Sequence, residues 1–316
     1  MTSETATGQN AGANNGAPSA PDRCGFIAVL GAPNAGKSTL VNRVVGTKVS
    51  IVSPKVQTTR ARVMGIAVQD RAQMVFIDTP GIFEPRRRLD RAMVAAAWGG
   101  AGDADITLLL MDAERGIDRD TRSIIKRMKT ENKRAHLVLN KVDKVKKPEL
   151  LELTTKLHGE GIFDEIFMIS ALNGDGVDDL VSFLAKHMPE GPWHFPEDQV
   201  SDMTERLLAA EITREKLYLQ LRQELPYSTT VETETWEEWD NGSVKIEQVI
   251  FVERDSQKSI ILGKGGQQIK TIGADARKEL EEILDRRVHL FLFVKVREKW
   301  GDDPDRYRDW GLDFNA

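Results

Sequence analysis

The stretch Gly31-Ala32-Pro33-Asn34-Ala35-Gly36-Lys37-Ser38-Thr39 decides how the rest of the chain is read. It follows an apolar run over 26–30, read as a strand, and opens a helix-like run over 37–45. In that setting the glycines let backbone N–H groups turn inward around phosphate oxygens, and the helix start adds a favourable dipole. Lys37 then supplies positive charge to the β- and γ-phosphates and Ser38 a hydroxyl to Mg²⁺. The bland alternative is a Gly-rich turn that binds nothing. The complete motif between a strand and a helix speaks against it.

Outward from this loop, short apolar runs over 63–68, 74–78, 106–112, 136–140 and 166–170 alternate with helix-like stretches over 89–98, 118–131, 148–158 and 177–187. Such alternation implies crossover units, hence an α/β fold with a mainly parallel sheet covered by helices on both faces. The short polar gap between 63–68 and 74–78 predicts an antiparallel hairpin. Near 188 the pattern stops at a segment carrying three prolines, read as a linker over 189–200. A different order follows: helix 201–224, strand 229–239, a turn at Asp240-Asn241-Gly242, strand 244–253, helix 266–285 and strand 288–297. Residues 1–22 are small and polar and are expected to be disordered. The predicted organisation is thus a tail at 1–22, an α/β domain at 23–188, the linker, and an α+β domain with its C-terminal tail at 201–316.

A phosphate loop does not choose a base. Three further segments at successive strand ends do. In Asp78-Thr79-Pro80-Gly81 the carboxylate can reach Mg²⁺ through water and the Gly81 N–H can sense a γ-phosphate. Asn140-Lys141-Val142-Asp143 closes the strand at 136–140, at the sheet edge where ligands bind in open α/β folds. Asp143 can accept two hydrogen bonds from guanine N1–H and its N2 amine. Adenine offers neither donor, and leaving a buried carboxylate unpaired costs on the order of 1–3 kcal/mol or more. Ser170-Ala171-Leu172 offers backbone N–H groups to guanine O6. GTP and GDP are therefore the expected ligands.

Composition sets limits. The single cysteine, Cys24, excludes an internal disulfide framework and a Cys-based zinc site, and a reducing cytoplasmic setting is the default. No apolar run approaches the ~18–20 residues needed to span a bilayer. The net charge of −5 gives no bulk hint of nucleic acid, so an RNA site must rest on local charge. Residues 201–316 hold 18 basic and 24 acidic side chains, but 256–299 hold 10 basic and 6 acidic. That basic stretch contains Ile260-Ile261-Leu262-Gly263-Lys264-Gly265-Gly266-Gln267-Gln268-Ile269-Lys270, a Gly-x-x-Gly loop between apolar helical segments. Such a loop admits a nucleic-acid backbone, while Ile261 and Ile269 would line a groove for about four bases beside Lys264 and Lys270. The element order matches a type II KH domain. The acidic stretch 232–240 is expected to face away as a solvated hairpin, with Trp236 and Trp239 as packing residues.

The nucleotide motifs together resemble the translation-factor-class GTPases. Under that resemblance Gln57-Thr58-Thr59-Arg60 is the first switch, and Thr59, in preference to Thr58, completes the Mg²⁺ shell. Ras-like enzymes orient water with a glutamine after Asp-x-x-Gly; Ile82 stands here and cannot. Related GTPases with asparagine at the position of Asn34 hold K⁺ beside the phosphates, which implies slow, K⁺-stimulated hydrolysis; the alternative is that Asn34 only stabilises the loop. Lys37, Thr59, Asn34 and Gly81 are the candidate catalytic residues.

A GTPase domain followed by a type II KH domain resembles the bacterial Era family over 25–316. The resemblance implies a monomeric GTPase that binds the 3′ end of 16S rRNA, assists maturation of the small (30S) ribosomal subunit and touches the membrane peripherally. Three rivals remain in view. An ATP-dependent kinase would lack the reason for Asn140 and Asp143. An RNA-modifying GTPase of the TrmE type would carry a C-terminal cysteine motif. A passive RNA chaperone would not need Lys37, Ser38 and Asp78 intact.

Overall fold

The computed structural model describes residues 21–102 and 104–316; the expectation for the tail lies almost wholly outside them. Asp22, which is described, pairs with Arg71 at 2.6 Å.

The first layer is a six-stranded sheet of β1 (Arg23–Leu30), β2 (Val63–Gln69), β3 (Ala72–Asp78), β4 (Ile106–Asp112), β5 (Ala135–Asn140) and β6 (Phe163–Ile169), in spatial order β2-β3-β1-β4-β5-β6. Only β2 runs antiparallel, as the β2–β3 hairpin. The β1 strand sits where the order reverses, with β3 on one side and β4 on the other. A crevice opens at such a switch point, at the carboxyl ends of the strands. Helices α1 (Lys37–Val45), α2 (Arg88–Gly102), α3 (Arg119–Thr130), α4 (Lys147–His158) and α5 (Val177–His187) cover both faces. Two apolar clusters result, one joining β1 and β3 to α1 and α5, the other joining β4 and β5 to α3 and α4. The β1 strand begins three residues before the predicted start because Arg23 and Cys24 pair with Ala72 and Gln73.

Residues 189–200 are strapped to this sheet. The buried Gln73 accepts from His194 N (2.9 Å) and Phe195 N (3.0 Å) and donates to Phe195 O (2.8 Å). Ile66 N donates to Val200 O at 2.9 Å, and Ser201 bridges Gly65. That bridge is why the next helix starts at 205 and not 201.

The second layer holds α6 (Glu205–Gln220), β7 (Thr229–Glu238), β8 (Val244–Val252), α7 (Asp255–Leu262), α8 (Gln267–Leu284) and β9 (Val288–Val296). The hairpin β7–β8 is antiparallel, and β9 joins β8 in parallel after the α7–α8 crossover. One sheet face packs on α6, α7 and α8. The other carries Val249 and Phe251 and packs on Leu89 and Met93 of α2 together with Trp300, Tyr307 and Leu312. The C-terminal residues, read from sequence as a tail, therefore form core: a short α9 (Pro304–Asp309) wedges Tyr307 between α2 and the sheet. The acidic hairpin is solvated as expected, with Glu234, Glu237, Glu238 and Asp240 exposed, and carboxylates along it are paired. Glu234 pairs with Lys295 (2.8 Å), Glu238 with Arg286 (3.1 Å) and Glu232 with the buried Arg306.

Candidate nucleotide site and Gly-rich loop

The loops after β1, β3, β5 and β6 converge on a cleft of about 300 Å³, lined among others by Asn34, Lys37, Thr59, Gly81, Asp143 and Ser170. Its floor is the phosphate loop. Gly36 has φ of 99°, and a Cβ there would lie 2.2 Å from Asn140 Nδ2, so only glycine lets α1 start this close to β5. At Gly81 a Cβ would fall 2.9 Å from Pro33 Cα, which locks the loop after β3 against the phosphate loop. Thr79 is buried with its hydroxyl on Val29 O (2.7 Å), and Ile82 N donates to Gly31 O (3.0 Å). Ala32, Ala35, Pro80 and Ile82 are buried beneath the cleft, so Ile82 cannot meet a water at the phosphates.

Asp78 gathers the cation-binding groups. Its Oδ2 accepts from Ser38 Oγ (2.6 Å), from Ser50 Oγ (2.7 Å) and, at 3.5 Å, from Thr59 Oγ1. Its Oδ1 is buried with no hydrogen-bond partner. Burial pushes the Asp78 carboxyl pKa up, against the three hydroxyls and Lys37, which pull it down. The Ser38 and Thr59 hydroxyls lie 2.9 Å apart. An octahedral Mg²⁺ with oxygen ligands at 2.0–2.1 Å sets adjacent ligands about 2.9 Å apart, so this pair matches one edge of its shell. The unpartnered Oδ1 suits a metal-bound water. Thr58 points elsewhere, with its hydroxyl on Ser53 Oγ (2.6 Å) and Lys55 O (2.7 Å).

Lys37 is buried and folds back onto Gly31 O (3.2 Å) and Ala32 O (3.0 Å), carbonyls an arriving phosphate would displace. Burial lowers its pKa to about 8, with Asp78 acting against the shift. Asn34, at φ of 64°, donates from Nδ2 to Pro54 O (2.9 Å), tying the phosphate loop to the loop that carries Thr59. Thr39 completes the wall beside Ser38.

At the base end, Asn140 is a stitch between three loops. Its Nδ2 donates to Ala35 O (2.8 Å), and its Oδ1 accepts from Lys141 N (2.8 Å) and Ala171 N (2.9 Å). The Ala171 N–H, offered from sequence to guanine O6, is thus engaged by Asn140. Lys141 stretches over the phosphate loop to Asn34 O (2.9 Å) and Asp112 Oδ2 (2.6 Å). Asp143 is exposed to the cleft, and Leu172, 71% exposed, stands at its rim. Sequence reading missed Asp90. Its Oδ1 accepts from Gln57 Nε2 (2.9 Å), and its Oδ2 from Arg86 N and Arg87 N (3.0 Å each), which joins the loops before β2 and before α2.

The Gly-rich loop between α7 and α8 places Gly263, Gly265 and Gly266 at φ of 71°, 60° and 76°. Lys264 and Lys270 are exposed beside it. Ile269 is half-buried, but Ile261 is fully buried in the core against β8 and α8. Ile261 therefore supports the loop from beneath and does not line a groove. Its neighbour Ile260, 58% exposed, is the outward isoleucine, because α7 turns about 100° per residue. Phe291 and Phe293 are 46% and 48% exposed on the edge strand β9, an alternation that the apolar run concealed.

The low Lys37 pKa has a consequence for pH. Phosphate charge favours the ammonium, so binding raises that pKa, and above about 8 the free protein must take up a proton to bind. Calorimetry in two buffers of different ionisation enthalpy is expected to show uptake of most of one proton at about pH 8.5 and little near pH 7. Affinity for a nucleoside triphosphate falls over the same range.

Comparison with known proteins agrees with this geometry. The family model described as 50S ribosome-binding GTPase matches residues 26–141, and the KH domain model matches 224–301. The GTPase Era of Sinorhizobium medicae is 63% identical over 94% of this chain and 96% of its own. That of Brucella melitensis is 62% identical over 92% and 94%. Among solved structures, a tyrosine-to-alanine variant of Aquifex aeolicus Era bound to GDP and AlF4⁻ superposes with a TM-score of 0.86 at 42% identity, covering 92% of this chain and 99% of that one. Era in complex with MgGDPNP and nucleotides 1506–1542 of 16S ribosomal RNA gives 0.87 at 42% identity, with the same coverage. Sequence identity along nearly the whole length, joined to the phosphate loop and the Gly-rich loop described above, means that this chain belongs to the Era family of GTPases.

Proposed function

We infer that the protein is a GTP-hydrolysing switch that binds the 3′ end of 16S rRNA and assists assembly and maturation of the small ribosomal subunit. The observation that carries the reading is the cleft itself, with Lys37 and the Ser38–Thr59–Asp78 group at one end and Asp143 at the other. Lys37 holds the β/γ-phosphates. Ser38, Thr59 and, through water, Asp78 hold Mg²⁺, which supplies charge neutralisation on the phosphoryl oxygens. Gly81 N–H contacts the γ-phosphate, and Asp143 reads the guanine edge. Asn140 and Lys141 fix the loops around the base.

Ile82, and not a glutamine, follows Asp78-Thr79-Pro80-Gly81 and cannot orient the attacking water, so turnover is slow. Asn34 is the residue for K⁺, its amide oxygen being available to a cation once Nδ2 is held by Pro54 O. Hydrolysis is expected to be several-fold faster in K⁺ than in Na⁺ at equal ionic strength. Equal rates would leave Asn34 as a loop-stabilising residue.

RNA binds at Gly263–Gly266, beside Lys264, Lys270 and Ile269, with the main chain close to the RNA backbone. The protein works as a monomer in the cytoplasm. Peripheral contact with the inner face of the cell membrane rests on the family resemblance alone; among the described residues no helix is long and apolar enough to cross a membrane.

Two substitutions separate the tasks. Asp143→Asn is expected to lower GTP affinity on the order of 100-fold and shift preference to xanthosine triphosphate, because two hydrogen bonds to a charged acceptor are lost. Nucleotide competition measures it, and an unchanged preference for GTP would refute the base assignment. The double variant Gly263→Asp, Gly266→Asp is expected to lose crosslinking to ribosomal RNA while keeping GTPase activity. Retained crosslinking would place the RNA elsewhere.

A further inference from the structure

Helix α6 does not line the nucleotide cleft, yet it grips the loop on both sides of Thr59, through main-chain oxygens before it and the Arg60 side chain after it. The buried Arg214 donates from Nη2 to Thr58 O. The buried Tyr218 donates its hydroxyl to Gln57 O (3.3 Å) and accepts from Arg60 Nη2 (3.1 Å), while Arg60 Nη1 donates to Thr229 O (2.9 Å). Both guanidinium carbons lie near the Tyr218 ring, at 5.2 Å for Arg214 and 5.9 Å for Arg60. Glu215 extends the grip upstream, accepting from Val52 N and Lys48 Nζ at 2.7 Å each. Near Thr59 the contacts fall on residues 57, 58 and 60. Thr59 alone turns its hydroxyl the other way, to Ser38 and Asp78.

Two guanidinium groups are desolvated to build this junction, and Arg214 is neutralised by Glu211. Burying charge adds little to stability when a well-packed apolar junction would serve, but it fixes a geometry. The geometry fixed here is that of the loop carrying the one threonine beside Ser38. We propose that Arg214 and Tyr218 are positioning residues for GTP hydrolysis: they hold the 57–58 main chain and the Arg60 side chain so that the Thr59 hydroxyl stays on the Ser38–Asp78 pair. The proposal rests on the assignment of Thr59 to the Mg²⁺ shell of bound GTP. It adds that this shell is completed only while α6, and with it the RNA-binding sheet, is docked on the loop.

The test uses the full-length protein. Tyr218→Phe removes one hydroxyl and keeps the ring; Arg214→Lys keeps the charge and loses the fork. Each is expected to lower kcat about 5–30-fold and to raise the Mg²⁺ concentration for half-maximal hydrolysis, the scale of one lost buried hydrogen bond, while GDP affinity stays within about twofold. A purely structural role would move melting temperature and GDP affinity together and leave the Mg²⁺ requirement unchanged. Folded variants with wild-type kcat and Mg²⁺ requirement overturn the proposal, and Tyr218→Phe decides alone if Arg214→Lys does not fold. Thr59→Ala separates the two layers. If it leaves hydrolysis and Mg²⁺ dependence intact, the Thr59 assignment falls and the proposal with it. If it impairs both while the α6 variants do not, only the proposal falls. In the Thr59→Ala background Tyr218→Phe is expected to add no further loss, and an additive loss would overturn the coupling.

Discussion

A single buried carboxylate, Asp78, draws three segments of the first layer to one point. It ends β3, and its Oδ2 takes hydroxyls from Ser38 at the start of α1 and from Ser50 and Thr59 on the loop before β2. A buried charge of this kind must be paired or hydrogen-bonded, since its desolvation is otherwise too costly. The loop therefore comes to the carboxylate. Hydroxyl oxygens of this kind are also what a small divalent cation takes.

From this point the constraint spreads by two routes to the second sheet. The loop that carries Thr59 is docked on α6 through Arg214, Tyr218 and Glu215. Asp90 joins the same loop, through Gln57, to the start of α2. The flank of α2 then packs on Val249 and Phe251 of the second sheet with Trp300 and Tyr307. Both routes end on the layer that carries the Gly263–Gly266 loop. Under the proposed function, any coupling between nucleotide and RNA through this docking is reciprocal.

Much of this was legible in the sequence, because strand ends punctuated by glycine, proline and charged residues mark the carboxyl edge of a parallel sheet. The phosphate loop, Asp78, Asn140 and Asp143 were found that way. The Gly-rich loop and the order of elements around it were legible for the same reason. What escaped depends on side-chain direction or on contacts distant in sequence. Ile260 and Ile261 are indistinguishable as letters, yet one is outward and the other is core. Arg214 and Tyr218 read as ordinary helix residues and Arg60 only as part of the first switch; the docking of two layers buries all three. The C-terminal aromatics looked like a tail because their partner, α2, lies more than 200 residues earlier. The carboxylates on β7 were legible as a solvated run, but not their pairing, because the basic partners come from β9, α9 and the residues after α8.

The central claim is that the nucleotide cleft and the RNA-binding layer share one free-energy balance through the loop held by Asp78. The most direct measurement is the affinity of the intact protein for a 16S rRNA 3′-end oligonucleotide, once with a non-hydrolysable GTP analogue and Mg²⁺ and once with GDP. The account predicts a difference of at least about fivefold in favour of the GTP analogue, the low end of ordinary allosteric coupling. Identical affinities would contradict it.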